Sequence, residues 1–373
     1  MRIPQLALRL VLLITFITVL VVSSSVFAGT SLLAPSIAAT PTPALSPTPE
    51  FNPTPTPCFS VLNPSLAGTE SKILPEKFDV CSFDWAPDGK AILFEGKIQG
   101  EDATKMRIWY WSLDPALEPV PLTNTSELID SSPRWSPDSA KAVIIRRSYK
   151  KTSRGGLTAS LWTKEMDGGA GRQITQGPED RDPFWSPDGT QIVFSRGQGP
   201  YKSQLAVVNA NGEGPVRILC GQDNEMLTAP WWGKDGRIYF TRQTLTTKNV
   251  TVSGQTYQVT EPGKGSIWMV NPGDGAQAPV IENEYDNRTP ALSPDGSRLA
   301  FVSDRNPATD TDNKFDRGNL YIKDLKTGVI YFVTSKVALR GGYLSFSPDG
   351  GKLAFLTFRG IRPAVWVINL PWI

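Results

Sequence analysis

Trp185-Ser186-Pro187-Asp188-Gly189 is followed at once by the strand-like run Gln191–Phe194, and the pair recurs along the chain. The other copies of the phrase are Trp85–Gly89, Trp135–Ser139, Trp232–Gly236, Leu292–Gly296 and Phe346–Gly350. Their aspartates, from Asp88 through Asp138, Asp188, Asp235 and Asp295 to Asp349, stand 50, 50, 47, 60 and 54 residues apart. Self-similarity at a period of this size marks a repeat architecture. Pro-Asp-Gly suits a tight turn: proline presets φ, aspartate bonds nearby backbone, and glycine takes the positive φ that a side chain resists. Each phrase therefore ends one strand and starts the next.

The runs after the other phrases are Ala91–Phe94, Ala142–Ile145, Arg237–Phe240, Arg298–Phe301 and Lys352–Phe355. A third strand follows at Ile108–Trp111, Leu161–Trp162, Leu205–Val208, Ile267–Val270, Leu320–Ile322 and Val365–Ile368. A weaker fourth closes most units, as at Arg172–Thr175, Val216–Leu219 and Ile330–Thr334. Four strands in each unit, with no helical periodicity between units, predict an all-β fold, a six-bladed β-propeller. The last copy lacks an outer strand, whereas Thr69–Leu74 precedes the first copy with no blade of its own. Thr69–Leu74 is expected to complete the last blade and close the ring, which also hides exposed strand edges. Phe59–Leu62 is a further candidate strand there.

The pattern resembles the TolB-like β-propeller repeat family, whose units carry Trp-Ser-Pro-Asp-Gly, then a strand ending near Phe, then Ser-Asp-Arg. The resemblance covers roughly residues 79–373 and implies the fold. Departures are Ser139 for glycine, Gly233-Lys234 for Ser-Pro, and a Ser-Asp-Arg kept only at Ser303-Asp304-Arg305. There is no pattern for the α/β domain that TolB itself carries, so TolB's own role is not implied.

Residues 1–28 hold Arg2 and Arg9, the apolar run Leu10–Val22 and the small-residue site Val26-Phe27-Ala28. They read as a secretory signal peptide or an uncleaved signal anchor. Either places the rest outside the cytoplasm, secreted or tethered to the outer side of the cytoplasmic membrane. Membrane contact is then only through residues 1–28, if uncleaved. Residues 29–57 form a Pro/Thr-rich stalk with Thr40-Pro41-Thr42-Pro43 and Thr54-Pro55-Thr56-Pro57; such a segment cannot build a core. Residues 58–373 are the propeller. Lys plus Arg total 38 and Asp plus Glu 36 over the chain. Residues 1–28 take two arginines and no acids, leaving 36 against 36. A neutral domain has no basic footprint for nucleic acid.

Of three cysteines, Cys58 and Cys81 either form a disulfide or stay as unpaired thiols, and Cys220 reads as a small apolar residue. The chain has no histidine, so it lacks the usual base of serine and cysteine hydrolases and the commonest metal ligand. There is no Gly-x-Ser-x-Gly elbow and no phosphate-cradling loop, and no cofactor is expected. Paired-carboxylate glycosidase chemistry needs only acids. A non-enzyme is therefore expected, with a carbohydrate-active hydrolase using carboxylates in the propeller mouth as the alternative.

The Pro-Asp-Gly turns share one face of the ring, and the insertions Arg242–Gly265 and Ser303–Gly318 share the other. Val250–Val259 reads as a projecting hairpin around Ser253-Gly254. Loops on a rigid scaffold are where function concentrates. Arg147, Arg196 and Arg242 leave the second strand at matching positions, with Arg305 and Arg359 slightly further along in two other blades. Asp130, Asp180, Asp182 and Asp286 come from the entering loops of the same face. These groups either pair between blades or form a polar mouth whose arginine forks recognise carboxylates. Asp310, Asp312 and Asp316 are a weak calcium candidate, because their spacing departs from a calcium loop. The repeated Trp85, Trp135, Trp185 and Trp232, and Trp109, Trp162, Trp268 and Trp366, read as inter-blade packing. Trp111, Trp231 and Trp372 lie off these registers and read as surface candidates. The expected job is non-catalytic recognition of a protein, peptide or cell-envelope polymer through the insertion-bearing face.

Overall fold

The structure is a computed structural model that describes residues 68–123, 128–148, 158–177, 179–252, 255–305, 317–338, 343–357 and 363–371. All described residues lie in the compact unit Ser60–Ile373. The expected signal segment, the stalk, Phe59–Leu62, Cys58, Arg359, Trp372, Asp310, Asp312 and Asp316 all fall outside the described residues. No helix among the described residues is long and apolar enough to cross a membrane.

Short strands dominate, and the one helix described is a 3-10 turn at Ala103–Lys105. β1 is Glu70–Lys72. One antiparallel sheet holds β2 (Phe78–Trp85), β3 (Ile92–Ile98), β4 (Arg107–Trp111) and β5 (Val120–Pro121). The next holds β6 (Leu128–Trp135), β7 (Lys141–Ser148), β8 (Thr158–Glu165) and β9 (Arg172–Gln173). Then come β10 (Asp180–Trp185), β11 (Gln191–Gly199), β12 (Lys202–Asn209) and β13 (Arg217–Cys220). These touch β14 (Glu225–Trp232), β15 (Ile238–Val252), β16 (Gln255–Val270) and β17 (Gln277–Ile281) through the pair Ser203–Met226. β18 (Asn287–Leu292), β19 (Arg298–Ser303), β20 (Arg317–Asp324) and β21 (Ile330–Ala338) follow. Val337–Thr357 links them to β22 (Leu344–Phe346), β23 (Lys352–Thr357) and β24 (Ala364–Asn369). The result is an all-β propeller arrangement. β1 pairs antiparallel with β24, Glu70 opposite Ile368 and Lys72 opposite Trp366.

The turn chemistry is visible in atoms. Asp188 Oδ1 accepts the Thr190 N–H at 3.0 Å and the Ser186 hydroxyl at 2.6 Å, while Ser186 Oγ accepts the Gln191 N–H at 2.9 Å. Gly189 sits at φ 71°, which a side chain resists. These bonds hold the Asp138, Asp188, Asp295 and Asp349 carboxyls below the usual carboxylate range, with the neighbouring serine hydroxyl as the largest cause.

The cores lie between neighbouring sheets. Val143 and Leu161 of one sheet pack with Trp185, Ile192 and Phe194 of the next. Trp85 and Trp109 pack with Ala354 and Val365. Burying such a side chain contributes about 1.5–3 kcal/mol before entropy, so the repeated tryptophans act as packing, as expected. Trp111 is not a surface residue: it is buried in the same cluster, and its Nε1–H donates to the Leu117 carbonyl at 3.0 Å. Cys220 is buried and unpaired, its thiol pushed up to about 12, first by desolvation.

Candidate functional site

The inner strands β2, β6, β10, β14 and β18 are each interrupted by a bulge. In four of them the chain reads X-Pro, and X lies at positive φ: Ser132 at 51°, Asp182 at 50°, Ala229 at 50° and Thr289 at 57°. Proline cannot donate to a ladder and is tolerated at such irregularities. A bulge re-aims the side chains that follow it. The residue just before each repeated Trp, or before Leu292 or Phe346, is Asp84, Arg134, Phe184, Trp231, Ala291 or Ser345.

Five of these six converge where the innermost strands meet. Arg134 Nη1 donates to Asp84 Oδ1 at 3.2 Å. Its guanidinium carbon lies 5.4 Å from the Phe184 ring centroid, 5.8 Å from Trp231 and 5.0 Å from Tyr343. The Phe184 and Trp231 rings lie against each other, 4.4 Å between centroids and tilted by 36°. Asp84 also accepts the Trp135 N–H at 2.9 Å and the Ser345 hydroxyl at 3.3 Å. Burial pushes the Asp84 carboxyl up, and Arg134 opposes that shift. Trp231, expected at the surface, is a wall of this central plug instead, because the bulge at Ala229 turns it inward.

A second group lies beside the plug. Glu95 is half-buried, accepts the Ser82 hydroxyl at 2.7 Å and the Ser132 N–H at 3.2 Å, and is raised by desolvation. Tyr343 shares a hydrogen bond of 2.8 Å with Ser132 Oγ. Its phenol is driven up, first by burial and then by the charges of Asp182 and Glu95. Asp182 Oδ2 accepts the Ala229 N–H at 3.2 Å. Sequence reasoning passed over Glu95, although a signal existed. Seven residues after Asp88 stands Glu95, where the copies starting from Asp138, Asp188, Asp295 and Asp349 have Ile145, Ser195, Val302 and Leu356.

Most of the expected mouth residues are engaged within the protein. Arg196 grips Asp180 with two bonds, Nε at 2.8 Å and Nη2 at 3.0 Å. Arg146 grips Asp130 in the same way, at 2.8 and 2.9 Å. Arg242 pairs with Glu225, and Arg288 grips Asp286 at 2.7 and 2.8 Å. The Asp130 and Asp180 side chains are fully buried. These forks join residues of one sheet, not residues of adjacent blades. The partner of Asp130 is Arg146, not Arg147: counted from the turn aspartates Asp138 and Asp188, Arg146 and Arg196 both fall eight residues on. Because strand side chains alternate between faces, Arg147 points elsewhere and donates to Ser131 Oγ at 3.1 Å. Arg305 stacks 4.7 Å from the Tyr285 ring and 5.7 Å from Tyr321.

On the face of the Pro-Asp turns, a groove of about 740 Å³ runs between two sheets past Pro137, Asp138, Trp185, Pro187 and Asn209. On the opposite face, β15 and β16 continue past their sheet as a two-stranded ribbon, with Lys248 opposite Val259 and Val250 opposite Tyr257. Thr247 and Thr260 share a hydroxyl bond of 3.0 Å across it. The ribbon is the projecting hairpin expected from the sequence. Among the described residues, no three His, Cys, Asp or Glu side chains converge as a metal site.

No family model matches the chain. It is 27% identical over 215 residues to the uncharacterized peptidase YuxL of Bacillus subtilis, covering 52% of this chain and 32% of that protein. It is 25% identical over 169 residues to a TolB homolog of Chlorobium luteolum, covering 45% of this chain and 32% of that one. The chain thus matches about a third of the length of these relatives. Among solved structures it superposes on one assigned as a TolB, from Agrobacterium tumefaciens, with TM-score 0.54 and 19% identity, over 81% of this chain and 97% of that one. It also superposes on an oligogalacturonate lyase in complex with manganese, with TM-score 0.52 and 14% identity, over 83% and 95% of the two chains. At these identities the likeness supports a TolB-like propeller fold, one shared by enzymes and by TolB proteins alike.

Proposed function

We propose that this chain is a non-catalytic recognition module, with the insertion-bearing face of a six-bladed propeller presented to a protein or peptide outside the cytoplasm. In this reading β1 is the outer strand of the sheet β22–β24 and closes the ring. Residues 1–28 export or anchor the chain, and residues 29–57 space it from the membrane. The carrying observation is that the polar side chains of this face hold the scaffold together. Asp130–Arg146, Asp180–Arg196 and Glu225–Arg242 each tie neighbouring strands of one sheet, and Asp286–Arg288 braces the start of β18. A face stiffened in this way positions loops and the β15–β16 ribbon for contact, and leaves few acids or bases for turnover.

The test is a crosslinked pull-down from envelope and culture-medium fractions with the full-length chain and a variant whose residues 247–260 are replaced by Asn-Gly. A partner captured by the parent and lost by the folded variant supports the reading. Absence of any partner from both overturns it.

One observation favours catalysis as a second reading. Glu95 is held toward its protonated form near Tyr343, whose phenol also feels Asp182. Two acids in unlike settings can divide acid and base roles, and a structural neighbour is an oligogalacturonate lyase. Glycan cleavage abolished by Glu95→Gln would establish that reading.

A further inference from the structure

Arg305 differs from four arginines of the insertion-bearing face. Arg146, Arg196, Arg242 and Arg288 each close on a carboxylate. Arg305 forms no ion pair with any described residue, and its Nε is buried without a hydrogen-bond partner. Buried donors are nearly always satisfied, and an orphan calls for an explanation. The backbone around it is pinned. Its carbonyl accepts Asn319 Nδ2 at 2.7 Å and the Tyr321 hydroxyl at 2.9 Å, and its N–H donates to Ser303 Oγ at 3.2 Å. Tyr285 and Tyr321 flank the guanidinium, at 4.7 and 5.7 Å. A cation so fixed has little entropy left to lose when an anion arrives.

We infer that Arg305, walled by Tyr285 and Tyr321, is the anchor for a carboxylate side chain of a peptide partner. The inference rests on the recognition reading above and names the chemistry that the face selects. Ring walls admit a carboxylate on a slender arm, as in glutamate or aspartate. Two further acids stand close by. The charges of Glu284 and Asp304 both act on the Tyr285 phenol, and Asp304 Oδ1 is itself engaged by the Asp286 N–H at 2.7 Å. They disfavour a densely charged polyanion such as a polyuronate and leave room for an isolated acidic side chain. Arginine supplies the planar fork that a carboxylate matches.

The test uses the full-length chain labelled with nitrogen-15 and follows the arginine Nε–Hε signals, with the Arg305 signal identified by its loss in Arg305→Lys. The probes are an acetylated, amidated tripeptide with a central glutamate, its glutamine counterpart, and galacturonate. The expected result is a saturable shift of the Arg305 signal with the glutamate peptide alone, and affinity about 10- to 100-fold weaker in Arg305→Gln. No shift, an equal shift with the glutamine peptide, or equal affinity in Arg305→Gln overturns the assignment. A shift with galacturonate alone also overturns it in favour of a uronate ligand. Repeating the pull-down with Arg305→Gln separates the two claims. A partner retained by this variant leaves recognition standing and removes Arg305, whereas no partner for the parent removes recognition itself.

Discussion

Replacing Arg134 by methionine removes the charge at the centre of the propeller while keeping most of the side chain's apolar bulk. The Arg134 and Asp84 side chains are 10% and 11% exposed, so the pair is largely out of water. Breaking a buried pair by deleting one partner costs about 3–5 kcal/mol, because it strands the other charge. Loss of the contacts to Phe184, Trp231 and Tyr343 adds to this. Against a typical total of about 5–15 kcal/mol, that is a large share of the stability.

Asp84 can escape part of the cost by taking a proton. Burial already raises its folded pKa above the usual aspartate value of 3.8, and losing Arg134 raises it further. A raised folded pKa means that its stability contribution is full below 3.8 and lost as pH rises through the folded value. The deficit of Arg134→Met should therefore be large at neutral pH and shrink toward about pH 4. Urea unfolding followed by tryptophan fluorescence at both pH values measures it. The double variant Asp84→Asn/Arg134→Met should recover at least about half of the neutral-pH loss. The reasoning fails if the single variant loses under about 1 kcal/mol, if its loss is the same at both pH values, or if the double variant is no better than the single one.

Three other outcomes can be checked with the same assay. Desolvation raises Glu95 above 4.5, so its contribution is full below 4.5 and declines as pH rises through the folded pKa. Glu95→Gln should flatten that decline, and an unchanged slope would mean that Glu95 is not desolvated. Asp295 is lowered to about 2 by the Ser293 and Ser297 hydroxyls, so its contribution is present above 3.8 and lost as pH falls through about 2. Asp295→Asn should remove that acid step at a neutral-pH cost below about 1 kcal/mol, since solvent screens this turn; identical acid-unfolding curves would refute it. Gly189→Ala, at φ 71°, should cost about 1–2 kcal/mol, and no change in the urea midpoint would show that the turn relaxes.

The strands and their order could be read from the chain because their causes are local. Pro187-Asp188-Gly189 makes a turn through bonds reaching only a few residues, and alternation then carries the strand onward. Even the ribbon of β15 and β16 was visible in the alternation around Ser253-Gly254. The candidate site was read less well. Arg196 and Asp180 were both singled out, yet their grip on each other depends on register across two strands. Arg147 was chosen over Arg146 by a slip of one residue, and in a strand one residue changes the face. Glu95 escaped notice because it stands alone at a register that elsewhere is neutral.

The sequence by itself determined the period, the turn chemistry, the all-β class and the packing role of the repeated tryptophans. Each of these follows from the conformational preferences of a few neighbouring residues, copied along the chain. Only the tertiary structure decided that Asp84, Arg134, Phe184, Trp231 and Ser345 meet at one point, and that Arg305 has no acid partner among the described residues. Those residues lie tens of positions apart, and bulges re-aim their side chains. Whether a charge finds a partner depends on distance and burial, which exist only once the sheets have packed.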